Sequence, residues 1–457
     1  MAEREFDVIV IGGGPAGEVA AGRLAGGDLA VALVEQHLVG GECSYYACMP
    51  SKALLRPGEL VAEVDRVPGV RERLDDGPDA EAVLRRRDEV IHDRDDSSQL
   101  PWLESRGIEL VRGRAEFTGE RSVTVGPDDL RARRAVIIAT GTAAAVPPIE
   151  GLAEARPWTN REATTAERVP GRLLILGGGV VGVELAQAWS SLGSSVTVVE
   201  AEPRILVTEE PFASEEVGAG LREGGVDVRT GARAVGASRG EGGQVSLTLE
   251  GGDELRVDEL LVAVGRRPRS DDLALEVAGA KGGGYLEVDD RLRVAGSEGR
   301  LYAIGDVNGR SLLTHMGKYQ ARIAADDILG KDAAAFADKI GSPRVVFTEP
   351  QVAAVGRTLA GAEEAGIRAR AVDVQTSANA GASFVGRNAP GTSRIVVDED
   401  RGVIVGATFV GPEIAESLQA ATIAVVGEVP MERLAHAVPA FPTRNEIWLN
   451  LLEAYGL

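Results

Sequence analysis

The sequence predicts an α/β protein that contains the same strand, turn and helix unit twice and ends in an α+β domain. A glycine-rich turn lies between a buried strand and a helix at 12–17 and again at 177–182. From about residue 344 the pattern changes to strands and helices without such a turn. A short apolar run that leads into a glycine turn and a helix is typical of parallel α/β sheets. The predicted fold is therefore two Rossmann-like domains followed by an α+β domain.

The first unit has the pattern of a dinucleotide-binding fold. Its elements, in order, are strand 6–11, the glycines Gly12, Gly14 and Gly17, a helix over 18–24, strand 29–34 and the acidic residue Glu35. The glycines let the backbone approach a pyrophosphate at the helix N-terminus. The carboxylate after the second strand can accept hydrogen bonds from a ribose diol.

The second unit repeats this pattern about 165 residues later. Its elements are strand 172–176, the glycines Gly177, Gly179 and Gly182, a helix over 183–192, strand 195–199 and Glu200. In both units the acidic residue follows the first glycine by 23 positions. The alternative, a duplicated fold that binds nothing, does not explain this shared spacing. The sequence therefore predicts two dinucleotide sites in one chain.

The remaining elements are predicted from apolar runs and turn residues. Further strands that end in tight turns are predicted at 135–141, 260–268 and 301–306. A helix over 82–107 with a break near Pro101, a linker at 147–151 and a hairpin edge around 245–249 complete the first part. In the terminal domain we predict strands at 345–347, 369–374, 393–397 and 403–410 and helices at 360–365 and 413–426.

Cys43 and Cys48 are the only cysteines in the 457 residues, and they lie in the stretch 40–52, GGECSYYACMPSK. Two adjacent thiols can alternate between dithiol and disulfide and so store two electrons. A zinc site is not expected, because too few other ligands lie nearby. A pair of inert buried cysteines remains the alternative.

Composition restricts the partners and the compartment. The formal net charge of −21 argues against nucleic acids and anionic membrane surfaces. No apolar run is long enough to span a bilayer, and no leader pattern precedes the first strand, so the cytoplasm is the expected compartment. A disulfide there is expected to be transient and catalytic.

Taken in order, these motifs resemble the class I pyridine nucleotide-disulfide oxidoreductases, a flavoprotein family that includes dihydrolipoamide dehydrogenase, glutathione reductase and mercuric reductase. The resemblance covers essentially the whole chain. Its motifs are the fingerprints at 12–17 and 177–182, C-x4-C-x-P-S-K at 43–52, A-T-G at 139–141, G-R-x-P at 265–268, Gly-Asp at 305–306 and VFTEPQVAAVG at 346–356. It implies an FAD-binding domain at 1–150 and 275–340, an NAD(P)-binding domain at 151–274, and a dimerisation domain at 341–457 that forms a homodimer.

The resemblance also implies a mechanism in which hydride passes from NAD(P)H through FAD to the Cys43–Cys48 disulfide. Cys48 would be the thiol on the flavin side, and Cys43 would exchange with the substrate. A helix that starts near Cys43 is expected to lower the thiol pKa. Lys52 would pair with Glu184 and stabilise the reduced flavin. The acceptor is expected to be a small molecule, with dihydrolipoamide the leading candidate.

Cofactor contacts are implied mainly at the turns that end the strands. The residues expected to contact the cofactors are Gly12, Gly14, Gly17, Glu35, Gly41, Lys52, Ala115, Thr140, Gly141, Asp306, Gly177, Gly179, Gly182, Glu200 and Gly265. Glu200 favours NADH, because a carboxylate accepts from a 2′-hydroxyl and repels a 2′-phosphate. Arg204 lies close enough in sequence to leave NADPH open.

The sequence departs from the family where disulfide-reducing relatives end in His-Pro-Thr-x-x-Glu. Here Phe441 takes the place of the histidine base, while Glu446, which the resemblance implies would orient that base, is retained. Phenylalanine cannot transfer a proton, and such a base contributes about 10²–10⁴-fold to a rate. His436 does not match the register of the missing base. Replacing Phe441 by histidine is expected to raise disulfide activity if the base alone is missing.

This departure leaves alternatives open. The first is a diaphorase, quinone reductase or transhydrogenase-type flavoprotein that does not use a disulfide substrate. A flavin-binding sensor with negligible turnover is a second, although Cys43, Cys48, Lys52 and Glu184 argue against it. Mercury reduction is not expected, because the chain lacks an additional C-terminal cysteine pair.

Overall fold

The computed structural model describes residues 4–73, 77–297, 299–387 and 389–457. The strands of the described residues are β1 (Arg4–Ile11), β2 (Val31–Glu35), β3 (Glu109–Arg112), β4 (Ala115–Gly119), β5 (Ser122–Val125), β6 (Asp128–Ile138), β7 (Thr142–Ala144), β8 (Arg172–Leu176), β9 (Ser195–Val199), β10 (Asp227–Arg229), β11 (Ala234–Arg239), β12 (Val245–Leu249), β13 (Glu254–Val257), β14 (Glu259–Val262), β15 (Arg266–Pro268), β16 (Leu301–Ala303), β17 (Arg344–Val346), β18 (Gln351–Gly356), β19 (Ala369–Gln375), β20 (Thr392–Asp398) and β21 (Val403–Gly411).

The α-helices of the same residues include several short ones. They are α1 (Pro15–Ala25), α2 (Gly41–Tyr46), α3 (Cys48–Asp65), α4 (Ala80–Val90), α5 (Leu100–Ser105), α6 (Asn160–Thr165), α7 (Val180–Ser191), α8 (Pro211–Glu223), α9 (Thr314–Ile328), α10 (Ala337–Ile340), α11 (Leu359–Glu364), α12 (Leu418–Val426), α13 (Met431–Leu434) and α14 (Ile447–Tyr455). In this described part of the chain, no helix is both long and apolar enough to cross a membrane.

The chain divides into two compact units. Unit 1 comprises the described parts of Met1–Pro50, Asp88–Ala144 and Arg266–Lys339. Unit 2 comprises the described parts of Ser51–Arg87, Ala145–Gly265 and Ile340–Leu457. The division into three domains that the family resemblance implies stays a prediction.

Unit 1 contains a large sheet with the strand order β3-β2-β1-β6-β5-β4 and a separate two-stranded sheet, β15-β7. Strands β3, β2, β1 and β6 are mutually parallel, and β16 pairs in parallel with the carboxyl half of β6. The central strand β1 is buried on both faces, and Val8, Ile9 and Val10 are fully shielded from solvent. This burial explains why its sequence is continuously apolar rather than alternating.

Unit 2 holds three separate sheets. The parallel sheet β10-β9-β8-β14 carries the second glycine turn, and a three-stranded antiparallel sheet, β11-β12-β13, lies in the same part of the chain. The terminal segment forms the antiparallel sheet β17-β18-β21-β20-β19, with α12 and α14 contributing to its buried core.

The glycine turns of both parallel sheets allow close backbone approach. A Cβ on Gly17 would lie 1.8 Å from the carbonyl oxygen of Gly12, and a Cβ on Gly182 would lie 2.0 Å from that of Gly177. No side chain tolerates such a contact. Each helix can therefore approach its strand this closely only because Gly17, in the first turn, and Gly182, in the second, have no side chain.

Several predicted elements differ from the structure. The predicted break near Pro101 is wrong: the helical stretch is interrupted at 91–99, where His92, Asp93 and Arg94 have φ values of 49°, 50° and 62°. Pro101 instead lies in the first turn of α5, where its missing N–H costs nothing. The predicted edge strand β12 is the middle strand of its sheet, because the unpredicted β11 pairs with its other side.

Candidate functional site

The first glycine turn is open to a ligand at the start of α1. The Glu35 carboxylate accepts hydrogen bonds from the backbone amides of Gly13, at 2.6 Å, and His37, at 2.7 Å. A Cβ on Gly14 would meet only the Cα of Gly41, at 4.0 Å, so the backbone there faces space. An N-terminal helix turn with exposed amides fits a pyrophosphate.

Other predicted contacts of unit 1 lie around Asp306. Its carboxylate accepts a hydrogen bond from the Thr142 hydroxyl at 2.8 Å, and the Arg266 guanidinium lies 3.9 Å away. Burial raises the pKa of Asp306, while the Thr142 hydrogen bond and Arg266 oppose this increase. The Asp306 side chain is 27% exposed, and such a partly buried carboxylate can accept hydrogen bonds from the hydroxyls of a ligand.

Four further predicted residues in unit 1 contribute through their backbone or local geometry. The Thr140 hydroxyl donates to the backbone oxygen of Arg269 at 2.7 Å, and Gly141 has a φ of +68°. The side chain of Ala115 is buried in the core, so only its backbone can meet a ligand. Gly41 has a φ of +61°, and a Cβ there would lie 2.7 Å from the Cα of Gly14.

The second glycine turn repeats the first. The Glu200 carboxylate accepts from the amides of Gly178, at 2.6 Å, and Glu202, at 2.8 Å. A Cβ on Gly179 would meet nothing within 4 Å. Gly265 has a φ of +140°, and a Cβ there would also meet nothing within 4 Å. Another residue at this position would therefore have a strained backbone conformation but no steric clash. The open amides at the start of α7 fit a second pyrophosphate.

Arg204 is held by its own loop. Its guanidinium donates to the Ser214 hydroxyl at 2.8 Å and to the backbone oxygens of Leu206, at 3.1 Å, and Val207, at 2.7 Å. A guanidinium committed to three acceptors, two in its loop and Ser214 on α8, has few donors left for a 2′-phosphate.

The two cysteines lie at the junction of two helices. Cys43 is on α2, Cys48 is the first residue of α3, and both are in the reduced form. The Cys48 Sγ lies 3.4 Å from the Thr314 Oγ1 at the start of α9. This geometry brings both thiols and one hydroxyl of α9 into one cluster.

The expectation of a lowered pKa at Cys43 is wrong for this dithiol. The hydrogen bond with Cys48 raises the pKa of Cys43 most, and burial raises it further. The hydrogen bond with Thr314 and the positive charge of Lys318 act in the opposite direction. The helix α2 has only six residues, so its dipole is small compared with these contacts.

The predicted pair of Lys52 and Glu184 is present in unit 2. The Lys52 Nζ lies 2.6 Å from the Glu184 Oε2, and the backbone amide of Phe347 donates to the Oε1 at 3.0 Å. The Lys52 ammonium also lies 4.6 Å from the centre of the Phe347 ring. The Glu184 side chain is only 5% exposed, so this pair neutralises a charge that has left water.

The terminal segment shows what replaces the missing base. The Phe441 side chain is 77% exposed, and the Phe441–Pro442 peptide bond is cis. The Glu446 carboxylate accepts a hydrogen bond from the backbone amide of Gly381 at 3.1 Å. His436 is exposed. Glu446 thus stabilises its own chain here, and its implied role of orienting a base has no histidine at position 441 to act on.

Sequence reasoning missed Thr314, Lys318 and Glu18. Thr314 contacts the cysteine pair, and Lys318 influences both Cys43 and Glu18 electrostatically. The one available signal was that Lys318 is among only five lysines in the chain. Within the described residues, no cluster of three or more His, Cys, Asp or Glu side chains is placed to hold a metal ion.

Comparison with known proteins defines the class. Residues 6–323 match the family model described as "Pyridine nucleotide-disulphide oxidoreductase", and residues 342–451 match the dimerisation domain of the same family. A dihydrolipoyl dehydrogenase of Thermus scotoductus is 35% identical over 99% of this chain and 97% of its own. A dihydrolipoyl dehydrogenase of Haloferax volcanii is 33% identical over 98% of this chain and 95% of its own.

A solved structure agrees with these matches. The Cu(II) complex of the HOCl-induced flavoprotein disulfide reductase RclA from Escherichia coli has a TM-score of 0.87 and 27% identity, covering 99% of each chain. The protein belongs to the pyridine nucleotide-disulphide oxidoreductase family. This confirms the predicted fold class of α/β nucleotide-binding regions followed by a dimerisation domain. The family depends on FAD and uses a pyridine nucleotide, and the two open glycine turns fit these groups.

Proposed function

We propose that this oxidoreductase uses NADH to reduce a small disulfide compound, with the lipoamide and dihydrolipoamide couple as the leading substrate. The observation that carries the proposal is the reduced Cys43–Cys48 pair, hydrogen-bonded within itself and to Thr314. A second support is that curated relatives matching nearly the whole chain are dihydrolipoyl dehydrogenases. FAD, when bound, supplies the two-electron transfer between nucleotide and cysteine pair.

The residues of the chain have distinct roles in the proposed reaction. Cys43 exchanges with the substrate disulfide, and Cys48 resolves the mixed disulfide. Lys52, fixed by Glu184, supplies positive charge, and Asp306 accepts hydrogen bonds from ligand hydroxyls. The other cofactor contacts are the glycine turns and strand ends described above, within the three implied domains.

The decisive assay offers the purified, FAD-loaded protein NADH with lipoamide, glutathione disulfide, a quinone and Cu(II) in parallel. Turnover of lipoamide, with a long-wavelength thiolate–flavin charge-transfer band on reduction, is the expected result. The diaphorase, quinone reductase or transhydrogenase-type alternative is less favoured by the relatives. Quinone turnover without any disulfide turnover would support this alternative in place of disulfide reduction.

Cu(II) is included as a second candidate acceptor for a specific reason. The RclA neighbour is a Cu(II) complex, and thiolate sulfurs are soft ligands that favour Cu(I), the product of its reduction. Reducing a metal ion needs electrons but no proton, so the absence of a base at Phe441 would not hinder it. Copper reduction that exceeds lipoamide reduction would favour this candidate.

The nucleotide preference gives a testable prediction. We expect kcat/KM for NADH to exceed that for NADPH at least about tenfold, because Glu200 repels a 2′-phosphate and Arg204 is engaged elsewhere. Glu200→Ser should bring the values of kcat/KM for NADH and NADPH closer together. The control is Glu202→Ser, an exposed neighbouring carboxylate, which should leave the ratio unchanged. A tenfold NADPH preference in the wild type would contradict the assignment.

We also propose a homodimer formed through the terminal domain. Phe384, Ile423, Val438 and Phe441 are 59–86% exposed there, more than is usual for apolar side chains. Sedimentation should give twice the mass of one 47.8 kDa chain. Ile423→Asp should weaken the dimer, whereas Val277→Asp, an exposed apolar position in unit 1, should not. A monomeric wild type would refute the proposal.

A further inference from the structure

The irregular loop at 200–210 joins the second glycine turn to the terminal sheet within unit 2. It begins at Glu200, immediately after β9, and ends immediately before α8. Glu200 supplies the carboxylate that accepts from the Gly178 amide, and the Leu206 amide donates to the backbone oxygen of Gly178 at 2.9 Å. A Cβ on Gly178 would lie 2.6 Å from the Cγ2 of Ile205, so the loop packs directly on the turn.

Leu206 has a backbone conformation that leucine rarely adopts. Its φ of 47° lies in the left-handed region, which is unfavourable for a residue with a Cβ, and its side chain is buried. Such a conformation persists only where the surrounding structure holds it. The loop therefore needs contacts outside itself to keep the Leu206 amide on the glycine turn.

A buried carboxylate near the end of the loop provides the first of these contacts. The Glu209 Oε1 lies 2.6 Å from the Nε of Arg344, the first residue of β17. The Glu209 side chain is 3% exposed, and its other oxygen, Oε2, has no hydrogen-bond partner among the described residues. The Arg344 Nη1 donates to the backbone oxygen of Gly356 at 3.2 Å, which fixes the arginine on its own sheet. Without Arg344 the loop would have to move before water could reach the Glu209 charge.

The next residue, Glu210, makes the second contact. Its Oε2 lies 2.9 Å from the Nη1 of Arg394 on β20, and its Oε1 accepts from the Leu359 amide, at the start of α11, at 2.7 Å. This carboxylate is also 3% exposed. Arg394 is held in turn by Asp373 on the neighbouring strand β19, at 2.6 Å. The terminal sheet thus holds two successive residues of the loop.

We propose that Arg344 and Arg394 are positioning residues for the nicotinamide nucleotide, because they hold the 200–210 loop against the second glycine turn. This inference rests on the proposed assignment of that turn to NAD(P)H and adds the residues that keep the turn in shape. A buried ion pair often adds little net stability compared with apolar packing, so the principal effect of the two pairs is on the position of the loop. They keep the Leu206 amide on Gly178 although the backbone of Leu206 is strained.

The first test measures the loop without any nucleotide. Hydrogen exchange of the FAD-loaded protein, followed by mass spectrometry, reports the protection of the peptide that spans 200–210. Arg344→Met should speed exchange in this peptide about tenfold, because the Leu206 amide loses its acceptor when the loop moves. Arg344→Lys should retain part of the protection, since an ammonium group can still pair with the carboxylate. Unchanged exchange in Arg344→Met would overturn the inference.

The second test measures nucleotide affinity separately from hydride transfer. Anaerobic rapid mixing with NADH gives an apparent Kd and a limiting rate of flavin reduction. Arg344→Met should raise this Kd about tenfold and leave the limiting rate within about twofold, because the loop acts on binding. Arg394→Met should raise the Kd about threefold, because the carboxylate that it pairs with keeps a backbone amide donor.

The control for the affinity test is Arg293→Met in unit 1. It breaks an ion pair with Asp327, whose side chain is also 3% exposed, at a similar distance of 2.7 Å. Its apparent Kd for NADH should equal that of the wild type. A similar rise in Arg293→Met and Arg344→Met, or a lowered limiting rate with an unchanged Kd in Arg344→Met, would overturn the inference.

A double variant separates the position of the loop from stability, and it also serves if Arg344→Met does not fold. Arg344→Met with Glu209→Gln leaves no unpaired buried charge, so its urea midpoint should return close to that of the wild type. Its apparent Kd for NADH should remain raised at least about fivefold, because the loop is still not held by β17. Return of both the midpoint and the Kd to wild-type values would overturn the positioning role.

These measurements distinguish the inference from the proposed function. Reduction of the flavin by NADH precedes any reaction with a disulfide. A wild type that reduces no disulfide would therefore refute the proposed function, while the exchange rates and the apparent Kd values still decide the role of the two arginines. An apparent Kd that does not respond to Glu200→Ser would refute the assignment of NADH to this turn, and with it the inference.

Discussion

Cys43→Ser is expected to abolish NADH-dependent reduction of lipoamide, with a loss of at least about 10³-fold in kcat. A serine hydroxyl is not nucleophilic enough near neutral pH to open a disulfide, and Cys48 alone cannot complete the exchange. Reduction of ferricyanide by NADH should persist, because that acceptor does not need the Cys43 thiol. Steady-state assays of both acceptors on the same preparation provide the measurement.

The matched control for this change is Ser44→Ala, next to Cys43 on α2. It removes a hydroxyl from the same helix but leaves both thiols, so lipoamide reduction should stay within about threefold of the wild type, as for a substitution without a catalytic group. Lipoamide turnover that survives in Cys43→Ser would show that the reducing equivalents leave the protein by another route.

Lys52→Met is expected to lower the free energy of unfolding by about 3 kcal/mol, near the lower end of the range for breaking a buried ion pair. Glu184 is almost completely buried, and without Lys52 its carboxylate would lose its positive partner and keep the hydrogen bond from the amide of Phe347. Urea denaturation of the FAD-loaded protein at pH 7.5 measures the change. Adding Glu184→Gln should recover most of the loss, because the unpaired charge is removed.

Lys331→Met is the control for the lysine itself. Lys331 pairs with Asp326 at 2.9 Å, but its side chain is 58% exposed. Exposed ion pairs contribute about 0–1 kcal/mol, so little loss is expected. A similar loss of unfolding free energy for Lys52→Met and Lys331→Met would show that the burial of Glu184 does not determine the loss of stability.

The strands that pack in parallel were the most predictable part of the fold. The structure has β8 and β9 at 172–176 and 195–199, as predicted, because burial on both faces requires continuous apolar runs with sharp ends. By contrast, β18 was not predicted although its sequence was noticed. One side of β18 pairs with the predicted β17, which ends at Val346, but its other partner, β21, lies more than 40 residues away in the chain and leaves no local sequence signal.

The site was predictable to the extent that its residues lie within local motifs. The Cys43–Cys48 spacing and the two glycine fingerprints are such motifs, whereas the contact of Cys48 with Thr314 joins residues that are 266 positions apart. The raised pKa of Cys43 was also unpredictable, because it depends on a hydrogen bond between the two thiols. Periodicity and spacing do not encode such tertiary contacts.

The hydrogen bond from Gly381 to Glu446 has a consequence for how such sequences evolve and are classified. A Cβ on Gly381 would lie 2.0 Å from the carbonyl carbon of Thr443, so the backbones of these two segments are in direct contact. The hydrogen bond from the Gly381 amide to the Glu446 carboxylate stabilises this contact. Selection for folding can therefore favour an acidic residue here even where position 441 is not histidine. A glutamate at this position in a related genome sequence is accordingly weak evidence that the acid–base pair of a disulfide reductase is still in use.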